Sequence, residues 1–350
     1  MTLPTYRIIE GAYLQDILDQ PRSLAATLQE LRTPEHFELI ARKLKNGELK
    51  RIVLTGMGSS FHALYPLHIL LTSQGFMALL IETAELVHYF PRLLDAETII
   101  VAVSQSGQSA EIVRLLGENR GRARIVAVTN TADSPLASQA DAVFLTNAGQ
   151  EFSVSCKTYV TALMALSQMG ALFSNGDPGL TRSELAQAAP AVASYLDSWQ
   201  EHVKDLCDCL ENSRHLFLVG RGLSLAAVGT GALIIKESTH YHAEGMSSAA
   251  FRHGPREMLS KEACVFVFTG EERTRALNME LKEDIRRMGS RGELIGNNAE
   301  LPSLRIPPVP NSILPILEIL PVEMITLALA AQASREAGRF TWGSKITTTE

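Results

Sequence analysis

Residues 236–255, KESTHYHAEGMSSAAFRHGP, set an acid, Glu237, sixteen positions before a histidine, His253, which is held in an HGP turn. The preceding GTGALIIKE is small and apolar, a pattern that suits a packed helix delivering a carboxylate at its end. The small residues Gly245, Ser247, Ser248, Ala249 and Ala250 would leave room for a ligand rather than fill a core. A carboxylate and an imidazole facing such a space could move protons; the plainer reading is a helix-end acid and a turn histidine. A second candidate is SQSGQS, comprising Ser104, Gln105, Ser106, Gly107, Gln108 and Ser109. Hydroxyls, an amide and a glycine turn at the start of a helix favour an anion such as phosphate, because backbone N–H groups and the helix dipole point at it; a simple helix cap has the same composition. The third is the tail TWGSKITTTE, where Lys345 has little local charge around it. A partly desolvated lysine can form or release an imine with a carbonyl, whereas a solvated tail lysine would do nothing.

The elements that must position these residues follow from the apolar pattern. Residues 11–45 read as helical, with breaks at Pro21 and Pro34. At Arg51 the pattern changes to a buried strand, RIVLT, then a glycine loop, GMGSS, then a helical run. Further strand candidates at 77–81, 98–103, 125–129 and 142–145 alternate with helical segments, which predicts a parallel sheet covered on both faces. At His215 the pattern restarts. RIVLTGMGSS (51–60) lies over HLFLVGRGLS (215–224), pairing Gly56 with Gly220, Gly58 with Gly222 and Ser60 with Ser224. An internal repeat of two α/β units is expected, with further strands at 264–268 and 293–295 and a long closing helix at 314–337. The repeat breaks after the third strand of each unit, where SQSGQS has TGEERT as its counterpart. Glu271 and Glu272 would oppose an anion, so one phosphate site per chain is expected, in the first unit, with Glu237 and His253 supplied by the second.

Composition narrows the function classes. The 350 residues are 46% hydrophobic and 20% charged, ordinary for globular domains, and enough for two of them. A net charge of −6 gives no general attraction for nucleic acid, and Arg114, Arg120, Arg122 and Arg124 read as a solvated helix end and loop. Cys156, Cys207, Cys209 and Cys264 contain no CxxC pair, which suits reduced thiols in a cytoplasm. The N-terminus shows no signal-peptide pattern. The apolar stretches 154–173 and 313–331 carry Lys157 and Gln168, and Glu318 and Glu323, so both are expected to be buried core helices rather than membrane spans. GMGSS lacks the third glycine of a dinucleotide fingerprint, since Phe61 stands there. His240, His242 and Glu244 have no further ligand cluster with them, and structural roles are expected for them.

The motifs GMGSS, SQSGQSAE, TNAGQE, LVGRG, KESTHYHAEG, FRHGP and KITTTE, in this order from about residue 50 to 350, carry a family likeness. The sequence resembles the double-SIS (sugar isomerase) group, which includes the isomerase half of glucosamine-6-phosphate synthase, amino-sugar-phosphate deaminases and fructosamine-phosphate deglycases. The resemblance implies an α/β fold of two tandem SIS domains, each a flavodoxin-like parallel sheet between helical layers. It divides the chain into a helical segment (1–45), a phosphate-binding domain (46–195), a domain carrying the catalytic acid and histidine (196–340) and an active-site tail (341–350).

It further implies a phosphate loop at Ser104, Gln105, Ser106 and Ser109, with Gly58, Ser59 and Ser60 beside the sugar. Glu237 matches the acid that shuttles a proton between C1 and C2, His253 the histidine that assists ring opening, and Lys345 the tail lysine that contacts the open-chain sugar. No metal or redox cofactor is required. The implied partners are a sugar 6-phosphate and a second copy of the chain in a homodimer with active sites near the subunit interface, without nucleic acid or membrane. Two departures stand out. Ile234 occupies the position where the synthase has a lysine three residues before its acid, and FSVSCKT after Glu151 is one residue short, with Cys156 near an expected threonine. No glutamine-hydrolysing domain precedes the first unit, so amine release from a 6-phosphorylated amino sugar is the expected direction. Fructosamine-6-phosphate deglycation and non-catalytic sugar-phosphate sensing are the alternatives.

Overall fold

The computed structural model describes residues 6–174, 176–347 and 349. The chain separates into two compact units. The first comprises residues 22–150, 157–186 and 343–350, and the second residues 1–21, 151–156 and 187–342.

In the first unit, β1 (Arg51–Gly56), β2 (Ala78–Glu82), β3 (Thr98–Val103), β4 (Arg124–Thr129) and β5 (Ala142–Leu145) form a five-stranded sheet in the order β2-β1-β3-β4-β5. Every pairing is parallel. β3 is TIIVAV and fully buried, as expected of a strand covered on both faces. One face, with Val53, Ile100, Ala102, Ile125 and Ala127, packs against Leu86 and Val87 of helix Thr83–Tyr89 and Ile112, Leu115 and Leu116 of helix Ala110–Asn119. On β5, Phe144 meets Phe37 edge-on at 5.0 Å, and Phe37 in turn meets Phe173 of helix Lys157–Phe173 at 4.7 Å.

The second unit repeats the topology. β6 (His215–Gly220), β7 (Ala243–Ser247), β8 (Ala263–Phe268) and β9 (Arg291–Ile295) run parallel in the order β7-β6-β8-β9. This is the first sheet's order without a counterpart to β5 among the described residues. The repeat holds in backbone conformation too: Gly58 and Gly222 sit at φ +54° and +57° after their strands.

β7 has no strand signal in its sequence, AEGMS. It forms because Gly245 lets it lie against helix Leu225–Thr239, where a Cβ would stand 2.5 Å from the Val228 carbonyl oxygen and 3.0 Å from Ala232 Cβ. The closing helix is also shorter than its apolar pattern, ending at Gln332 rather than 337. Ser334 turns left-handed at φ +51°, and the N–H groups of Ser334 and Arg335 donate back to Ala331 and Ala330, which completes a Schellman stop. Helix Leu314–Gln332 is the one helix among the described residues long and apolar enough to cross a membrane, and 94% of its apolar window is buried inside the protein. It packs on helices Leu225–Thr239 and Trp199–Cys209. Gly231 permits that packing, since a Cβ there would stand 2.8 Å from Leu218 and 3.0 Å from Val322.

Candidate active site

In the first unit the strand order reverses direction between β1 and β3, and the loops that leave their carboxyl ends diverge there. Such a switch point opens a crevice in α/β sheets. Gly56 at the end of β1 pairs with Val103 at the end of β3, so the GMGSS turn and the SQSGQS loop depart side by side. Gly58, Ser59 and Ser60 open the short helix Gly58–His62 and are half-buried.

The serine loop is held rigidly by its own polar atoms. Ser104 Oγ accepts from the Gly107 N–H at 3.1 Å, and Ser106 Oγ accepts from the Gln108 N–H at 3.3 Å. The Gln105 carbonyl accepts from the Asn130 N–H at 3.1 Å, from Thr129 Oγ1 at 3.2 Å and from Thr131 Oγ1 at 3.3 Å. Gly107 is left-handed at φ +62° and touches the Ser134 side chain, where a Cβ would fall 2.2 Å from Oγ. Its carbonyl accepts from the Leu136 N–H at 3.0 Å. Ser109 is the N-cap of helix Ala110–Asn119, yet its side chain makes no cap hydrogen bond. Lys345 is half-buried in the tail, which also belongs to this unit.

In the second unit the equivalent turn is already filled. Glu271, the N-cap of helix Glu272–Arg287, turns its carboxylate over Gly222, where a Cβ would stand 2.3 Å from Oε2. Oε2 accepts from the Leu223 N–H at 3.4 Å, and Arg273 pairs with the carboxylate at 3.2 Å. Ser224, the counterpart of Ser60, donates to the buried Glu318 Oε1 at 2.7 Å. The second copy of the turn is closed by the Glu271 carboxylate.

Glu237 lies two residues from the end of helix Leu225–Thr239 and is half-buried. Ile234, one turn earlier, is fully buried. His253 is the C-cap of the short helix Ser248–Arg252, exposed, and followed by Gly254 at φ +138°. Phe251 anchors that helix against Phe217 on β6, with ring centroids 5.5 Å apart. The small residues between the acid and the histidine are divided between packing and the surface. Gly245 packs on one side against helix Leu225–Thr239, Ser247 caps helix Ser248–Arg252 by accepting from Ala250, and Ser248 is buried, donating to Asn278 Oδ1 at 3.0 Å. Gly245 and Ala250 are exposed, and Ser247 and Ala249 are half-buried.

Sequence reasoning missed a buried polar cluster in the second unit. Gln20 Nε2 donates to Glu323 Oε2 at 2.7 Å, and Thr326 Oγ1 donates to the Tyr13 hydroxyl at 3.3 Å. The Tyr13 hydroxyl is pushed well above its ordinary range, first by burial, then by the nearby Glu323, Cys156 and Glu237. Burial likewise pushes Glu323 up to about 8, against the Gln20 hydrogen bond. Phe152 N–H donates to Asp16 at 2.8 Å and Cys156 N–H to Glu151 at 3.0 Å, which fastens residues 151–156. An acid inside an apolar helix was the available signal for this cluster; Tyr13 gave none. His240 ends the helix Leu225–Thr239 in the left-handed region at φ +56° and meets Arg335 at 3.3 Å. No metal-binding cluster is present among the described residues.

The SIS domain pattern matches residues 48–172 and 209–293, which cover both repeats of the sheet. The chain belongs to the SIS domain family. Among similar SIS proteins, the glutamine–fructose-6-phosphate aminotransferase (isomerizing) of Pyrococcus horikoshii is 27% identical over 339 residues. The match covers 92% of this chain and 55% of that protein, so the chain spans about half the length of the curated relatives it matches. Two solved structures share the double-SIS fold. The C-terminal domain of glucosamine-fructose-6-phosphate aminotransferase from Francisella tularensis superposes with a TM-score of 0.81 at 18% identity, covering 94% of this chain and 98% of that one. Glucosamine-6-phosphate deaminase from Thermotoga maritima superposes with a TM-score of 0.78 at 16% identity, covering 97% and 100%. At those identities the likeness speaks for the fold alone.

Proposed function

We propose that this chain is a phosphosugar isomerase of the SIS type that acts on a 6-phosphorylated amino sugar and releases ammonia or an amine. The observation that carries the reading is the serine loop. It is built with buried hydroxyls and a left-handed glycine at the sheet's switch point, while its counterpart in the repeat is closed by Glu271. Ser104, Gln105, Ser106 and Ser109 hold the phosphate, with Gly58, Ser59 and Ser60 beside the sugar, since hydroxyls and the N–H groups of a helix start favour an anion. Fixing the phosphate fixes the carbon chain, which lowers the entropic part of the barrier. His253 assists ring opening, Lys345 contacts the open-chain carbonyl, and Glu237 carries the proton between C1 and C2 before the amine leaves.

The direction of the chemistry rests on Ile234. A buried aliphatic one turn before the acid supplies no ammonium group there, which removes a cation the amine-transferring synthase has. The exposed position of His253 supports a homodimer in which the histidine serves a neighbouring copy's site. The test is Glu237→Gln, assayed for ammonia and free-amine release on a panel of phosphorylated amino sugars and fructosamines, with binding followed by calorimetry. The expected result is loss of turnover with sugar-phosphate binding retained; full turnover in the variant would sink the mechanism. Release of an amino acid from fructosamine 6-phosphate alone would mark a deglycase, and saturable binding with no product from any compound would mark a sensor.

A further inference from the structure

Three loops leave the carboxyl edge of the first sheet side by side. Ser104, after β3, donates its N–H to the Val128 carbonyl at 3.0 Å, and Thr146, after β5, donates its N–H to the Thr129 carbonyl at 3.0 Å. β4 lies between those strands and ends at Thr129. The next residue, Asn130, therefore stands between the serine loop and the TNAGQE motif that begins at Thr146.

Asn130 bonds to both neighbours. Its backbone N–H donates to the Gln105 carbonyl at 3.1 Å. Its side-chain Oδ1 accepts from the Ala148 N–H at 2.7 Å and from Thr146 Oγ1 at 3.1 Å, while Nδ2 donates to the Gly149 carbonyl at 2.8 Å. Aspartate in this place would keep the two accepted bonds but set a carboxylate oxygen against the Gly149 carbonyl. The Thr146 and Ala148 carbonyls accept from Thr27 and Ser23 of helix Gln20–Glu30. The turn 146–149 is thus fastened to that helix on one side and to Asn130 on the other.

The consequence falls on the peptide between Gln105 and Ser106. Thr129 Oγ1 and Thr131 Oγ1 also donate to the Gln105 carbonyl, so three donors from residues 129–131 fix its direction. A planar trans peptide points its N–H opposite its C=O, which turns the Ser106 N–H away from β4. A backbone N–H held in one direction suits a phosphate oxygen.

We propose that Asn130 is a positioning residue for the serine loop: its side chain locks the turn 146–149 to the end of β4, so that its backbone N–H holds the Gln105 carbonyl and the Ser106 N–H is aimed at the substrate phosphate. This role rests on the serine loop being the phosphate site. Asn130 touches no substrate in it and acts through the 105–106 peptide.

The experiment compares the full wild-type chain with Asn130→Ala and with Asn119→Ala. Asn119 is a matched control, buried, accepting from the Ala123 N–H at 2.9 Å and donating to the Ala123 carbonyl at 3.1 Å, at the far end of helix Ala110–Asn119. Backbone amide exchange is followed by mass spectrometry, and binding of inorganic phosphate by calorimetry. In Asn130→Ala, exchange is expected to rise in peptides covering both 104–109 and 146–150. Phosphate binding is expected to weaken by roughly tenfold, as for the loss of one well-aimed bond to a charged acceptor. In Asn119→Ala, exchange rises near 119–123 alone and phosphate binding is unchanged. Thr146→Val removes one donor to Asn130 and keeps the side chain's shape; it should give the same pattern at smaller size, and it carries the test if Asn130→Ala does not fold. Faster exchange at 146–150 with 104–109 and phosphate binding unaltered would overturn the proposal, as would equal weakening in both asparagine variants. A wild-type chain that binds no phosphate would overturn the phosphate loop itself, and this role for Asn130 with it.

Discussion

The backbone N–H of Ala110 donates to the carbonyl of Thr347 at 3.2 Å, which ties the C-terminal tail to the first turn of the helix that follows the serine loop. Lys345 lies two residues from that tie, in the same unit as the proposed phosphate loop. A free N–H at a helix start is one of the few donors a passing chain can use without breaking an existing bond.

Ala110→Pro isolates this tie. Ala110 is the first helical residue, and Ser109 before it is extended at φ −62°, ψ 157°, so proline fits both the helix and the residue that precedes it. Thermal unfolding should show a stability change within about 1 kcal/mol, because proline at this position costs a helix little. Turnover on a sugar phosphate should fall by roughly tenfold if the tie positions the tail, the equivalent of about 1.4 kcal/mol of lost positioning. Unchanged turnover would show that Lys345 is placed by other contacts.

Gly107→Ala attacks the loop itself. The new Cβ would combine a left-handed backbone with a 2.2 Å approach to Ser134 Oγ. Backbone strain and overpacking together should cost roughly 2–3 kcal/mol. Calorimetric binding of a sugar phosphate should weaken, while a Gly121→Ala control, at φ +74° with open space around it, should keep full binding.

Gly245→Ala tests whether β7 positions the acid. Its Cβ would press on the Val228 carbonyl of the helix that carries Glu237. A loss of about 1–3 kcal/mol in denaturant unfolding is expected, together with a fall in turnover larger than any rise in the Michaelis constant. A variant that loses stability but keeps normal turnover would show that the helix shift does not reach the acid.

Glu318 gives a dependence on pH. Burial raises its carboxyl from 4.5 to about 8, and the Ser224 hydrogen bond only partly opposes this. Between those two values the unfolded chain has shed a proton that the folded chain still holds. Stability therefore falls as pH rises through the window and levels off above it. Glu318→Gln keeps an acceptor for Ser224 and removes the titration. The variant should match the wild type near pH 4.5 and exceed it by roughly 4 kcal/mol at pH 8, read from urea unfolding at the two pH values. Equal stability at pH 8 would show that the carboxyl ionises in place.

The β-branched runs at β1, β3, β4 and β5 and the repeat of GMG as GRG determined the parallel sheets and their duplication, because buried strands and left-handed turns leave local marks in sequence. β7 left no such mark, since AEGMS becomes a strand only through pairing with β6 and the close approach of Gly245 to Val228. Ser248, read as open space, is buried against Asn278 instead. Glu271 closing the turn at Gly222 and Gln20 meeting Glu323 were decided by tertiary structure alone. Each joins residues with no periodic relation along the chain, and only the packing of one element on another sets their distance.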